Sequence, residues 1–95
     1  MKIEKSKNFA KKYKGLRPDE RKRVDMVLGK FNKNPFSEKI KKHTLSPNPR
    51  FASIEAGGDL RIVYEKIYRV RTREIVKILL RNVGSHNQVY KKIYK

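Results

Sequence analysis

The sequence predicts an α+β domain in which an N-terminal strand and a helical hairpin pack on a largely antiparallel sheet of about four strands. Apolar residues of the first third recur at helical spacing, and those of the second half alternate or run continuously. A glycine pair between two alternating runs adds a hairpin.

MKIEK reads as a short strand anchored by Ile3. Ser6 offers an N-cap; Phe9 and Tyr13, four residues apart, share one face of a helix that Gly15 can end. Pro18 suits a first helical turn, Asp19 and Glu20 suit its dipole, and Val24, Val27, Leu28 and Phe31 form one stripe. Asn32 to Pro35 end that second helix. The other face of the pair carries Lys11, Lys12, Lys14, Arg21, Lys22 and Arg23, which makes a hairpin with one apolar and one basic side.

SEKIKKHTLSPNP reads as a turn or short helical piece and then loop, because Pro47 and Pro49 bar regular continuation. In the next run Ala52, Ile54 and Ala56 alternate with Phe51, Ser53 and Glu55. After Gly57 and Gly58, expected to form a two-residue turn, Leu60, Ile62 and Tyr64 alternate with Arg61, Val63 and Glu65. EIVKILLRNV is apolar on both sides, with Val76, Ile78 and Leu80 expected on one face and Ile75, Leu79 and Val83 on the other. Such a strand is central or covered twice. A short basic tail closes the chain.

Ninety-five residues with no internal repeat or linker fit one domain, 1–95. Twenty-six Lys and Arg against nine Asp and Glu give a formal net charge of +17, spread from Lys2 to Lys95. A polyanion is the expected partner, with nucleic acid ahead of a membrane surface or an acidic protein. Absence of cysteine removes thiolate metal sites and suits a reducing compartment. No apolar run is long enough for a signal peptide core or a membrane span, so a soluble, cytoplasmic protein is expected.

The tract RNVGSHNQVY places Ser85, His86, Asn87, Gln88 and Tyr90 within six residues after Gly84. It is either a polar strand end or part of an active site. Cleaving RNA without a metal requires a base for the 2′-hydroxyl, an acid for the leaving 5′-oxygen, and fixed positive charge on the phosphate. His86 and His43 supply proton transfer near neutral pH. Arg61 supplies a bidentate fork for phosphate, with Arg81 and Lys77 on a shared strand face as further cations. Tyr90 can stack on a base or orient the phosphate. Each residue also has a plainer reading: His86 as a surface or capping residue, Arg61 paired with Glu55 or Glu65, Tyr90 as packing, Asp59 as a turn residue. Nucleotide-binding glycine loops, zinc-protease motifs and a serine triad are absent from the pattern.

ASIEAGGDLRIVYE followed by VGSHNQVY resembles the RelE/ParE superfamily of bacterial toxins, in particular its RelE, HigB and YafQ branches. A hairpin whose second strand reads R-x-V-Y, and a strand ending in G-[ST]-H-x-x-hydrophobic-aromatic, carry the resemblance. It implies a small basic toxin neutralised by a co-expressed acidic antitoxin in a hetero-oligomer. It further implies an endoribonuclease that cuts messenger RNA in the ribosomal A site, with no cofactor or metal. His86 and Tyr90 stand where the YafQ-like pattern has a catalytic histidine and an aromatic. His43 stands near an earlier active-site histidine, and Arg61 matches an arginine used against phosphate. Asp59 lies near a functional aspartate, displaced by one turn residue, and Ser53 replaces a further histidine. RNA contacts are expected from Arg81, Lys77, Lys11, Lys12, Arg21 and Lys22, with the basic helix face docking on ribosomal RNA. The ParE branch shares the fold and inhibits DNA gyrase, so that activity, and a basic nucleic-acid-binding module without chemistry, stand as alternatives.

Overall fold

The structure, a computed structural model, describes residues 2–35, 37–45 and 48–90. Pro47, the basic C-terminal tail and the first residue of the N-terminal strand lie outside the described residues. The elements are β1 (Lys2–Lys5), α1 (Lys7–Lys14), α2 (Pro18–Lys33), β2 (Lys42–Thr44), β3 (Phe51–Glu55), β4 (Leu60–Tyr68), β5 (Ile75–Ser85) and α3 (His86–Tyr90). The strands form one sheet in the order β1-β5-β4-β3-β2. β1 runs parallel to β5 and the other pairs are antiparallel, which gives five strands rather than about four.

Both long helices start as their sequences require. Ser6 Oγ accepts the Phe9 N–H at 3.1 Å, and the Glu20 carboxylate accepts the Arg17 N–H at 2.9 Å ahead of Pro18. Gly15 ends α1 at φ −81°, in the right-handed region, so the stop needs no left-handed glycine. The two helices cover one face of the sheet. There Phe9, Val24 and Phe31 meet Ile54, Ile62, Ile78 and Leu80, all buried. Phe31 lies against Tyr64 with ring centroids 5.1 Å apart, and burial pushes the Tyr64 phenol up to about 12.

Three features depart from the sequence reading. Residues 42–44, expected as loop, form β2, because backbone pairing with Ile54, Ser53 and Ala52 of β3 supplies the order that their polar side chains do not. The β3–β4 connection runs over four residues, Ala56 to Asp59, and is closed by Ala56 N–H to Leu60 O at 2.9 Å. Gly57 and Gly58 both take positive φ there, 92° and 54°.

The third departure is the pairing of β5, which breaks register twice against β4, at Ile67/Tyr68 and Val63/Tyr64. Val76 and Arg81 are the extra residues. Each break resets the alternation, so Ile75 and Val83 pack with Ile78 and Leu80 on the helix side instead of opposite them. The Arg81 carbonyl leaves the β4 ladder and is taken by Asn8 Nδ2 at 2.8 Å and Ser6 Oγ at 3.3 Å. The cap of α1 therefore also fixes the bulge.

The second sheet face carries a smaller apolar cluster, Phe51, Val63 and Val89, with Leu45 and Tyr90 against it. Replacing Phe31 by alanine should cost about 3–5 kcal/mol, a large part of the 5–15 kcal/mol typical of a domain. Urea unfolding should show a lower midpoint with an unchanged slope. A shift under 1 kcal/mol would mean that the α2 end contributes little to the core.

Candidate active site on the second sheet face

α3 begins where β5 ends, in the tract read as either a polar strand end or part of an active site. Ser85 and Gln88 start it reciprocally: the Ser85 N–H donates to Gln88 Oε1 at 3.0 Å and the Gln88 N–H to Ser85 Oγ at 3.3 Å. Gly84 makes room for this cap, since a Cβ there would lie 2.7 Å from Gln88 Oε1. The His86 N–H donates to the Asp59 carbonyl at 2.8 Å, which ties α3 to the β3–β4 turn. Val89, fully buried, plugs α3 onto Val63 and Phe51.

This leaves His86 exposed with its ring edge-on to Tyr90, the centroids 4.3 Å apart. The Tyr90 hydroxyl shares a 2.5 Å hydrogen bond with Oγ of Ser53, a buried residue in the middle of β3. Ser53 thus uses its hydroxyl to set the tyrosine. Opposite Ser53 on β2 lies His43, whose Nε2 is 2.8 Å from Glu55 Oε2. The other oxygen of Glu55 lies 3.6 Å from Arg61 Nη2. Arg61 Nη1 donates to the Gly58 and Leu60 carbonyls at 2.8 and 3.0 Å. The His43 contact, helped by the charges of Arg61 and Lys41, holds the Glu55 carboxyl below the usual carboxylate range.

Arg81 is presented differently. It lies on this face, its guanidinium 6.0 Å from the Phe51 ring centre and 3.8 Å from Glu65 Oε1, with 41% of its side chain exposed against 14% for Arg61. Glu65 also pairs with Arg50. Glu4 likewise lies between Lys2 and Lys77, at 3.4 and 3.3 Å.

His43, His86, Arg61, Tyr90 and Arg81 therefore share one sheet face. Arg61 in this state follows its plainer reading, paired across the hairpin with Glu55. Asp59 contributes its carbonyl to α3, again as a turn residue. Lys77 pairs with Glu4 about 20 Å along β5 from the residue opposite Arg61, at roughly 3.3 Å per residue. Lys11, Lys12, Arg21 and Lys22 lie on the helical layer, across the sheet from His86, and the Arg21 guanidinium donates to Leu16 O at 2.7 Å. They form a second basic surface. Glu55 as a partner of His43, Ser53 as a partner of Tyr90, and α3 itself were missed. The Ser85-x-x-Gln88 box was a legible signal for α3; the other two depend on cross-strand register.

No protein-family model and no curated protein sequence matches the chain. Solved structures do. The RelB-RelE antitoxin-toxin complex from Methanococcus jannaschii contains a chain that aligns with a TM-score of 0.67 at 22% identity, covering 92% of this chain and 94% of that one. The RelE-RelB complex from Pyrococcus horikoshii gives 0.65 at 14%, over 92% and 96%. The chain has a RelE-like fold. A copper-bound mutant toxin from Helicobacter pylori extends the likeness, with a TM-score of 0.57 at 21% identity over 94% and 98%. Within this RelE-like fold the helical hairpin and the mostly antiparallel sheet are common ground.

Because the Glu55 carboxyl is held low in the folded chain, its contribution to stability is fully present above the ordinary carboxylate value. It is lost as pH falls through the lowered one. A carboxylate NMR titration should place Glu55 below a peptide glutamate, and His43→Ala should move it back up. Titration at or above the peptide value would remove the His43–Glu55 contact from the solution structure.

Proposed function

We propose that this chain is the toxin of a type II toxin-antitoxin pair and acts as a ribosome-dependent endoribonuclease on messenger RNA. One observation supports it above the rest: both histidines, Tyr90 and two arginines gather on the sheet face left open by the helical hairpin, in a RelE-like fold. The RNA's 2′-hydroxyl attacks the adjacent phosphorus, giving a 2′,3′-cyclic phosphate and expelling the 5′-oxygen. One histidine takes the 2′-hydroxyl proton and the other protonates the leaving oxygen. His86, at the exposed start of α3, and His43, oriented by Glu55, are the two groups for those roles. Arg81 and Arg61 face the phosphorane charge by exchanging Glu65 and Glu55 for phosphate. Tyr90, set by Ser53, supports a base or the phosphate from α3.

The antitoxin is the natural protein partner, as in the two RelB-RelE complexes, and an acidic one would cover this face. With a net charge of +17 its association would be fast and salt-sensitive. The messenger and ribosome then compete for a surface that is basic on both sides of the sheet.

Primer extension on messenger RNA from cells briefly expressing the protein should reveal cuts within translated codons. His86→Ala should reduce them by about 10²-fold or more, the usual worth of a proton-transfer group. Growth arrest without cuts, unchanged in His86→Ala, would overturn the nuclease reading and favour gyrase inhibition.

A further inference from the structure

Beyond this site, the far end of the sheet carries an arginine-lined groove that the proposed chemistry does not use. It encloses about 600 Å³ between Arg50, Ile67, Tyr68, Arg69, Val70 and Arg73. The β4–β5 turn forming its wall is held by two backbone bonds, Arg69 N–H to Glu74 O at 2.8 Å and Arg73 N–H to Arg69 O at 2.9 Å. That closure sets Arg73 at φ 56°. These bonds close the turn that carries Arg69 and Arg73. Tyr68 is 39% exposed and Val70 93%. Among the described residues, no carboxylate lies within ion-pair distance of Arg69 or Arg73, although the chain's other surface arginines largely find one.

An aromatic ring and apolar floor flanked by unneutralised guanidinium groups match one ligand chemistry closely: a base to stack and phosphates to pair. We propose that this groove is a second nucleotide-binding site, for single-stranded RNA, with a base against Tyr68 and phosphates on Arg69 and Arg73. An acidic peptide would use the arginines and leave the ring idle. Arg50 joins the groove to the His86 face, since it pairs with Glu65, which also meets Arg81. From Arg61 to Arg69 the strand runs about 26 Å at roughly 3.3 Å per residue, so one strand several nucleotides long reaches both. Binding at the groove requires no cleavage, so it stands or falls apart from the nuclease reading.

The test is fluorescence anisotropy of the full chain with a labelled twelve-nucleotide oligouridine, across a salt series. Tyr68→Ala should weaken binding about tenfold. Arg69→Glu with Arg73→Glu should weaken it further and lower the salt slope by about one per lost phosphate contact. Arg71→Glu, the same charge change on the same turn but outside the groove lining, should cost clearly less per charge. The inference is overturned if Tyr68→Ala binds normally, or if Arg71→Glu weakens binding as much per charge as the groove arginines do, since the loop would then act by charge alone. Equal loss toward polyglutamate as toward RNA would also overturn it. Circular dichroism melting of each variant separates these outcomes from unfolding.

Discussion

The register of β5 against β4 is the constraint from which the rest follows. β5 lies between β1 and β4, so both its edges are paired and each side chain has only two faces to choose from. An unbroken alternation would send Val83 to the open face and Asn82 into the helix-covered core. The extra residue at Arg81 reverses that assignment and keeps Val83 among the core residues, while the arginine stays on the open face. The cost of a bulge is a carbonyl without a ladder partner. Ser6 and Asn8 meet it from the start of α1, so the helical hairpin docks where the bulge occurs. The same shift delivers Gly84 and Ser85 opposite Arg61 and Leu60, where α3 can start against the β3–β4 turn.

How much of this was legible depended on whether the signal was local. Ser6, Pro18 and the stripe Val24, Val27, Leu28 and Phe31 are local, and both long helices followed them. Alternation in β3 and β4 was equally plain. β2 was not, because Lys42, His43 and Thr44 carry no apolar pattern and owe their strand to β3. The bulges have no local mark at all. At the site, His86, Tyr90, His43 and Arg61 were read as residue types in a tract and a hairpin, and Glu55 as a partner of Arg61, but the partners of Tyr90 and His43 were not. Ser53 meets Tyr90 across 37 positions, and only the sheet makes them neighbours. The lysines of α1 and α2 were read as a basic face, and a helical wheel does not say which side of the sheet the helix will cover.

A net charge of +17 requires the second face to hold its cations in place without an anionic ligand. Three carboxylates do this by bridging: Glu55 between His43 and Arg61, Glu65 between Arg50 and Arg81, and Glu4 between Lys2 and Lys77. Such exposed pairs add about 0–1 kcal/mol each, so their weight is in orientation more than stability. They leave the guanidinium groups poised toward the face, where a phosphate can replace a carboxylate at little net cost. Fixed dipoles and charges of this kind are what a metal-independent phosphoryl transfer needs from its protein.

The central chemical claim is that the substrate supplies its own nucleophile and this face supplies the proton transfers and the charge. It is tested most directly with purified protein and ribosomes programmed with a defined messenger, either all-ribose or carrying a single 2′-deoxy nucleotide on the 5′ side of the cut. The account predicts cleavage of the first, leaving a 2′,3′-cyclic phosphate, and none of the second at that position. Cleavage of the deoxy messenger at the same bond would contradict it, because the attacking oxygen would then have to come from water or from the protein.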